Sequence, residues 1–146
     1  MARPFLGGTK PSVVDCTTAS TAYTLGREDS NKVVLVGANA VSIALPNATQ
    51  RVTGSTYLFL MTADYATAVS KITASANLLV GHVVSADLDG NADGDVAVGA
   101  NDFIEFGANS KAGDIVEVWW TGAVWVCRIN SQVKDGVAFK NTGGGG

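Results

Sequence analysis

Charged residues are scarce in this chain of 146 residues. They make up 16% of it, whereas an average globular protein has about 25%, and hydrophobic residues make up 47%. The mean hydropathy is +0.22. This composition predicts that a partner or further copies of the chain cover part of the surface. With a net charge of −3 and no cluster of Lys or Arg, the sequence lacks the pattern of a nucleic-acid-binding protein.

Long apolar runs are also missing. No stretch approaches the roughly 20 apolar residues that a membrane helix needs. The first residues, MARPFLGGTKPSVVD, lack the apolar core of a signal peptide. We therefore expect a chain that has no membrane partner and that is made and folded in a cytoplasm.

The sequence has one histidine, His82, and two cysteines, Cys16 and Cys127. A Ser/His/Asp or Cys/His catalytic group would have to use His82, which lies in the apolar run LLVGHVVS. These residues are also too few for a zinc site of the usual kind. We expect His82 to have a structural role and the protein not to be an enzyme. We expect the cysteines to be buried free thiols, with one long-range disulfide as the alternative.

Short runs of β-branched and aromatic residues alternate with turn residues from Val13 onward. Residues 31–46 predict two strands joined by a hairpin at Gly37–Ala40, and Pro46 ends the second strand. Further strands are predicted at Ser55–Ala63, Val69–Thr73, Leu78–Val84 and around Phe103–Glu105. A helix is the alternative near Val69, because apolar residues recur there at intervals of four and three.

The clearest hairpin joins VEVWW to VWVCRI through Thr121–Ala123, where Gly122 suits a tight turn. One face of the second strand is assigned to the core and carries Trp125, Cys127 and Ile129. Trp119 and Trp120 are neighbours, so one of them must point away from the core. We predict that Trp119, on the same face as Glu117, is the outward residue and a candidate interface residue.

These patterns predict an all-β fold, an antiparallel β-sandwich or barrel of jelly-roll-like form, over residues 13–140. Residues 1–12 are predicted to be an extended N-terminal arm, because Pro4 and Pro11 oppose a helix. The arm is either a disordered tail or a segment that docks on a neighbour through Phe5 and Leu6. Residues 141–146 are predicted to be a flexible Gly-rich tail.

The acidic segment Asp87–Asp95 is the best local candidate for a metal site. Its residues Asp89, Asn91 and Asp93, followed by Gly94, match the start of a calcium-binding loop. The match then fails, because Ala100 stands where a bidentate Glu is required. A surface turn uses the same residue types and explains the segment more simply. We expect no cofactor, with Ca²⁺ as the one candidate.

Several segments in order resemble the small β-structured capsid decoration, or cement, proteins of tailed bacteriophages. They are ALP (residues 44–46), YLFLM (57–61), KIT (71–73), GDIVEV (113–118) and TGAVWV (121–126). The similarity spans roughly Asn31 to Ile129. The turn in this chain, Thr-Gly-Ala-Val, is less polar than the turn typical of that family.

The resemblance implies a virion structural protein on the outer surface of a capsid, commonly a homotrimer, that ties neighbouring subunits of the major capsid protein together. In such a protein we expect the N-terminal arm, especially Arg3, Phe5 and Leu6, to contact the coat. The alternative function is a host- or carbohydrate-binding module of a phage tail or fibre, in which an exposed Trp119 and a Ca²⁺-ordered loop would serve.

Overall fold

The residues that the structure describes form twelve short strands, which are joined by turns and loops. This structure, a computed structural model, describes residues 12–75, 78–85 and 94–141, and for residues 94–100 it describes the backbone alone. The strands are β1 (Val13–Cys16), β2 (Ala22–Thr24), β3 (Val33–Val36), β4 (Ser42–Ala44), β5 (Thr56–Met61), β6 (Ser70–Thr73), β7 (Leu79–Ser85), β8 (Gly94–Asn101), β9 (Phe103–Phe106), β10 (Ile115–Trp120), β11 (Trp125–Ser131) and β12 (Val137–Lys140). One turn of 3-10 helix, Arg27–Asp29, lies between β2 and β3.

The strands form two sheets that pack face to face. The seven-stranded sheet has the order β1-β3-β5-β10-β11-β7-β8, and the five-stranded sheet has the order β12-β9-β6-β4-β2. The predicted all-β sandwich is confirmed. The buried apolar side chains of both sheets form one cluster between them, as expected when each sheet has one apolar face to bury.

The pairing within both sheets is mixed, whereas the sequence pattern had predicted antiparallel sheets. The first six strands alternate between the two sheets along the chain, so β1, β3 and β5 pair in parallel in one sheet. In the same way β2, β4 and β6 pair in parallel in the other sheet. Between two successive strands of one sheet, the chain crosses to the opposite sheet and back. The two strands therefore run in the same direction, which explains the parallel pairs.

The hairpin predicted at Gly37–Ala40 is wrong. The strands on either side of it belong to opposite sheets, because β3 pairs with β1 and β5 while β4 pairs with β2 and β6. Buried Ser70 holds this crossing: its hydroxyl donates to the Gly37 carbonyl at 2.6 Å and accepts from the Val41 amide at 3.1 Å. The alternation in the second run was assigned correctly, since Ile43 is fully buried.

The other predicted strands match the structure more closely. The strand interpretation at Val69–Thr73 is confirmed by β6, and the hairpin at Thr121–Ala123 is confirmed by the pairing of β10 with β11. The sequence analysis assigned no separate strand at β1, β2, β8 or β12. Ser12 and Asn141 are the parts of the predicted arm and tail that lie within the described residues.

The core is richest in aromatic side chains where β5, β10 and β11 meet. Trp125, Tyr57 and Phe59 are among its largest fully buried residues. The ring of Trp125 packs edge-on against Tyr57 with 6.0 Å between centroids, and against Trp120 at 5.1 Å. The predicted core face of β11 is confirmed, because Trp125, Cys127 and Ile129 are at most 1% exposed.

Candidate interaction surface

The two outer faces of the sandwich differ in polarity. On the five-stranded sheet, the outward positions are mostly small or polar residues: Ala22, Thr24, Ser42, Ala44, Lys71, Thr73, Phe103, Glu105, Ala138 and Lys140. The exception, Phe103, lies under a cation, since the Lys71 ammonium is 5.5 Å from its ring centroid. This face is typical of a sheet surface in water.

The outward positions of the seven-stranded sheet are mostly apolar instead. On β1, β5, β7, β10 and β11 the polar ones are Asp15, Thr56, His82, Glu117, Arg128 and Asn130. The apolar ones are Val13 on β1, Val33 and Leu35 on β3, Leu58 and Leu60 on β5, Ile115 and Trp119 on β10, Val126 on β11, and Val80 and Val84 on β7. We call this set the apolar face. All ten side chains keep contact with solvent, and Val13 and Val84 are 52% and 50% exposed.

The strand register brings much of the apolar face together on β3, β5 and β10. Leu35, Leu60 and Ile115 lie opposite one another across β3, β5 and β10. Leu58 lies between Val33 on β3 and Glu117 on β10 in the adjacent row, and the row after it carries Trp119 opposite Thr56. Side chains opposite each other in a sheet are about 5 Å apart. Large contiguous apolar patches on a protein surface mark interaction sites.

One ion pair interrupts the apolar face. Arg128 lies opposite Glu117, and its Nη2 atom donates to both carboxylate oxygens, at 2.9 and 3.1 Å. The side chains are 54% and 39% exposed, so water still surrounds the pair. His82 is the next residue in the same row and is exposed. A partner that bound this face would therefore meet the charges of Glu117 and Arg128 at a fixed place among apolar side chains.

A groove of about 370 Å³ opens at one end of the apolar face, where β3 and β5 begin and β10 ends. Its apolar lining includes Val33, Leu58 and Trp119. Its polar lining includes Asn31, Lys32, Thr56 and Glu117, and the Thr56 hydroxyl is 2.6 Å from the Asn31 side-chain oxygen. An apolar floor with a few polar groups at the edge suits an apolar side chain of a binding partner.

The two cysteines are buried free thiols, as predicted. Burial raises the pKa of Cys127 to about 12, and burial together with the nearby Asp15 and Asp29 raises the pKa of Cys16 to about 11. Burial also raises the pKa of Tyr57 to about 12, and its hydroxyl donates to the Gly26 carbonyl at 3.0 Å. These groups are protonated at neutral pH, so they act as packing groups and not as nucleophiles.

The structure places the predicted site residues in three groups. Trp119 points away from the core beside Glu117, and its neighbour Trp120 is only 7% exposed, which confirms the predicted orientation. The proposed arm contacts Arg3, Phe5 and Leu6 lie outside the described residues. The proposed calcium ligands Asp89, Asn91 and Asp93 also lie outside them. Within the described ranges, no three His, Cys, Asp or Glu residues are grouped so as to hold a metal.

Sequence reasoning missed most of the apolar face. The runs VVLV in β3 and TYLFLM in β5 are apolar at successive positions, not at alternate ones. The sequence analysis assigned these runs to strands but did not say which of their side chains face the core, because strands that are covered on both sides have the same run of apolar residues. In a two-layer sandwich one side of every strand meets the core. The apolar residues on the other side were therefore the signal of a second, outward-facing apolar surface.

In comparisons with known proteins, no family model, no curated protein and no solved structure matches the chain. Within the described residues, no helix has the length and apolar character needed to cross a membrane.

Proposed function

We propose that this chain is a virion structural protein that binds the outer surface of a tailed-phage capsid and cements neighbouring coat subunits. The observation that carries the proposal is the apolar face on one side of the sandwich, opposite a polar outer face. A surface of this kind supplies binding free energy at about 25 cal/mol for each Å² of apolar area removed from water. Binding, and not catalysis, would be its product.

The segments that resemble decoration proteins support the same proposal, because they belong to the elements that build this face. YLFLM is β5, and GDIVEV with TGAVWV covers most of the β10–β11 hairpin. These three strands are neighbours in the seven-stranded sheet and carry Leu58, Leu60, Ile115 and Trp119. The proposed partners are the major capsid protein and two further copies of the chain in a trimer, whose repeated contacts would add to one another.

A second candidate function, a carbohydrate- or host-binding module of a tail or fibre, is favoured by one observation. Trp119 is partly exposed at the edge of a groove that also has carboxylate and hydroxyl groups. An aromatic ring beside polar groups is suited to a sugar, which has an apolar face and many hydroxyls. A glycan array with and without Ca²⁺ separates the two functions: binding to a glycan favours the second, and its absence favours the first.

The binding proposal is tested with purified heads that lack this chain. We expect the wild-type protein to co-sediment with heads, and the variant Leu60→Gln to bind at least about tenfold more weakly, which corresponds to 1.4 kcal/mol. The matched control is Thr73→Gln, which places the same side chain on the outer face of the five-stranded sheet. Equal binding by both variants, with both folded by circular dichroism, would contradict the proposal.

The arm is tested separately. Deleting Met1–Lys10 is expected to leave the sandwich folded, because residues 13–140 form twelve strands in two sheets with an apolar cluster between them. The same deletion is expected to weaken attachment to heads, measured by occupancy after sedimentation. Unchanged occupancy would remove Arg3, Phe5 and Leu6 from the proposed contact with the coat.

A further inference from the structure

The groove at Trp119 lies at the end of the sheet where the N-terminal segment enters it. β1 runs parallel to β3, and the Ser12 carbonyl accepts a hydrogen bond from the Val33 amide at 3.0 Å. Val33 also lines the groove. The chain that precedes Ser12 therefore starts beside the groove and not at the far end of the sheet.

We propose that the segment Met1–Pro11 of the same chain docks in this groove, with Phe5 and Leu6 as the buried side chains. The inference concerns the free protein and does not depend on the capsid proposal. The proposed occupant of the groove is a segment of this chain that can reach it, that carries two apolar side chains and that has a net charge opposite to that of the remaining residues.

The segment is long enough to reach. The groove extends from β3 to β10, which is three strand spacings from β1, or about 14 Å. Phe5 is seven residues before Ser12, and seven extended residues span about 23 Å. No other copy of the chain is needed to bring Phe5 to the groove.

The size and polarity of the groove fit the two side chains. A cavity of roughly 150 Å³ accommodates a benzene ring, so about 370 Å³ has room for a phenyl ring and a leucine side chain together. Phe5 and Leu6 stand between Pro4 and Gly7–Gly8, residues that favour extended or turning backbone. The apolar pair can therefore enter the groove without a helix or a strand to carry it.

The charges of the two parts are complementary. Residues 1–11 contain Arg3 and Lys10 and no acidic residue, a formal charge of +2. Because the whole chain is −3, residues 12–146 carry −3 − 2 = −5. At the groove itself Glu117 is paired with Arg128, and Lys32 is paired with Asp29, so the attraction is between the net charges of the two parts of the chain. Attraction of this kind favours the docked segment at low salt.

The test uses nuclear magnetic resonance on the purified full-length protein, with no capsid present, so that its failure is distinct from failure of the proposed function. The indole N–H signal of Trp119 is assigned with Trp119→Phe. We expect nuclear Overhauser contacts from Phe5 and Leu6 to Trp119 and Leu58. We also expect the double variant Phe5→Ala/Leu6→Ala to shift the Trp119 indole signal, while the control Thr9→Ala leaves it in place.

A mixed sample of differently labelled chains identifies the donor of the segment. Contacts that are present in the uniformly labelled protein and absent between labelled and unlabelled chains support docking within one chain. Contacts found between chains would overturn it in favour of exchange with a second copy. A Trp119 indole signal that does not move when Phe5 and Leu6 are replaced would overturn the docking itself.

Discussion

Glu117 and Arg128 lie directly opposite each other on β10 and β11 and form a salt bridge of 2.9 Å within a mostly apolar surface. Neither side chain is buried in the free protein. An exposed pair of this kind adds little to stability. In the proposed contact with a partner the pair would have a different role, because a charged pair within an interface fixes the orientation of a partner more than it adds affinity.

The first prediction concerns this pair. We expect Glu117→Gln or Arg128→Gln to change the free energy of unfolding by about 1 kcal/mol or less, because water already screens both charges. A double-mutant cycle by urea denaturation measures the coupling between the two residues. A coupling energy above about 2 kcal/mol would show that the free protein already buries the pair, contrary to this account.

The second prediction separates the outer and inner tryptophans. Trp125→Ala is expected to destabilise the fold by about 3–5 kcal/mol, because a fully buried indole is removed from contact with Tyr57 and Trp120. Trp119→Ser is expected to cost about 1 kcal/mol or less, since its side chain faces outward. Urea unfolding of both variants provides the measurement. Similar losses for the two would show that Trp119 also belongs to the core.

The third prediction concerns the pairing of β7 with β11 at Gly81. Its φ is +150°, and a Cβ at this position would overlap the Cys127 carbonyl oxygen. We expect Gly81→Ala to destabilise the protein by at least about 3 kcal/mol, because backbone would have to move. Gly54→Ala is the control: its φ is +90°, but nothing lies within 4 Å of a Cβ there, so a cost of about 1–2 kcal/mol is expected. Equal thermal unfolding midpoints for the two variants would be inconsistent with close contact at Gly81.

The fourth prediction is a loss of stability in alkali. Cys16, Cys127 and Tyr57 have pKa values of about 11, 12 and 12 in the fold, above their ordinary values of 9, 9 and 10. The unfolded chain therefore releases these protons first as the pH rises above about 9. Each group lowers the free energy of unfolding by up to about 1.4 kcal/mol per pH unit until its folded pKa is reached. Below pH 9 the stabilisation from these groups is fully present.

Urea unfolding between pH 8 and pH 11 measures this effect. Cys127→Ala is the matched variant, because it removes one titrating group and should make the decline with pH less steep. The same variant also loses buried volume, so the comparison uses the slope against pH and not the absolute stability. A free energy of unfolding that stays constant from pH 9 to pH 11 would contradict the burial of these groups.

Prediction from the sequence succeeded where a single local pattern determines the structure. Alternation in residues 125–129 and the Gly122 turn predicted both the β10–β11 hairpin and its core face. It was misleading at Gly37–Ala40, because a tight connection inside one sheet and a crossing between two sheets use the same residue types. What distinguishes them is distant: buried Ser70 bonds to both sides of the crossing, and no local pattern reveals that contact.

The candidate surface was predictable in part. Trp119 was found because two adjacent tryptophans in a strand cannot both face the core. Leu35, Leu60 and Ile115 come together from three strands that are distant in the sequence, so their alignment depends on strand order. Strand order follows from long-range packing, which a single sequence does not display.

Cryo-electron microscopy of phage particles from the source of this sequence tests the central claim most directly. The account predicts density for the twelve-stranded sandwich on the outside of the head, with the apolar face around Leu60 and Trp119 turned toward coat subunits or toward further copies of the chain. Particles in which this chain is absent from the head, or in which that face is open to solvent, would contradict it.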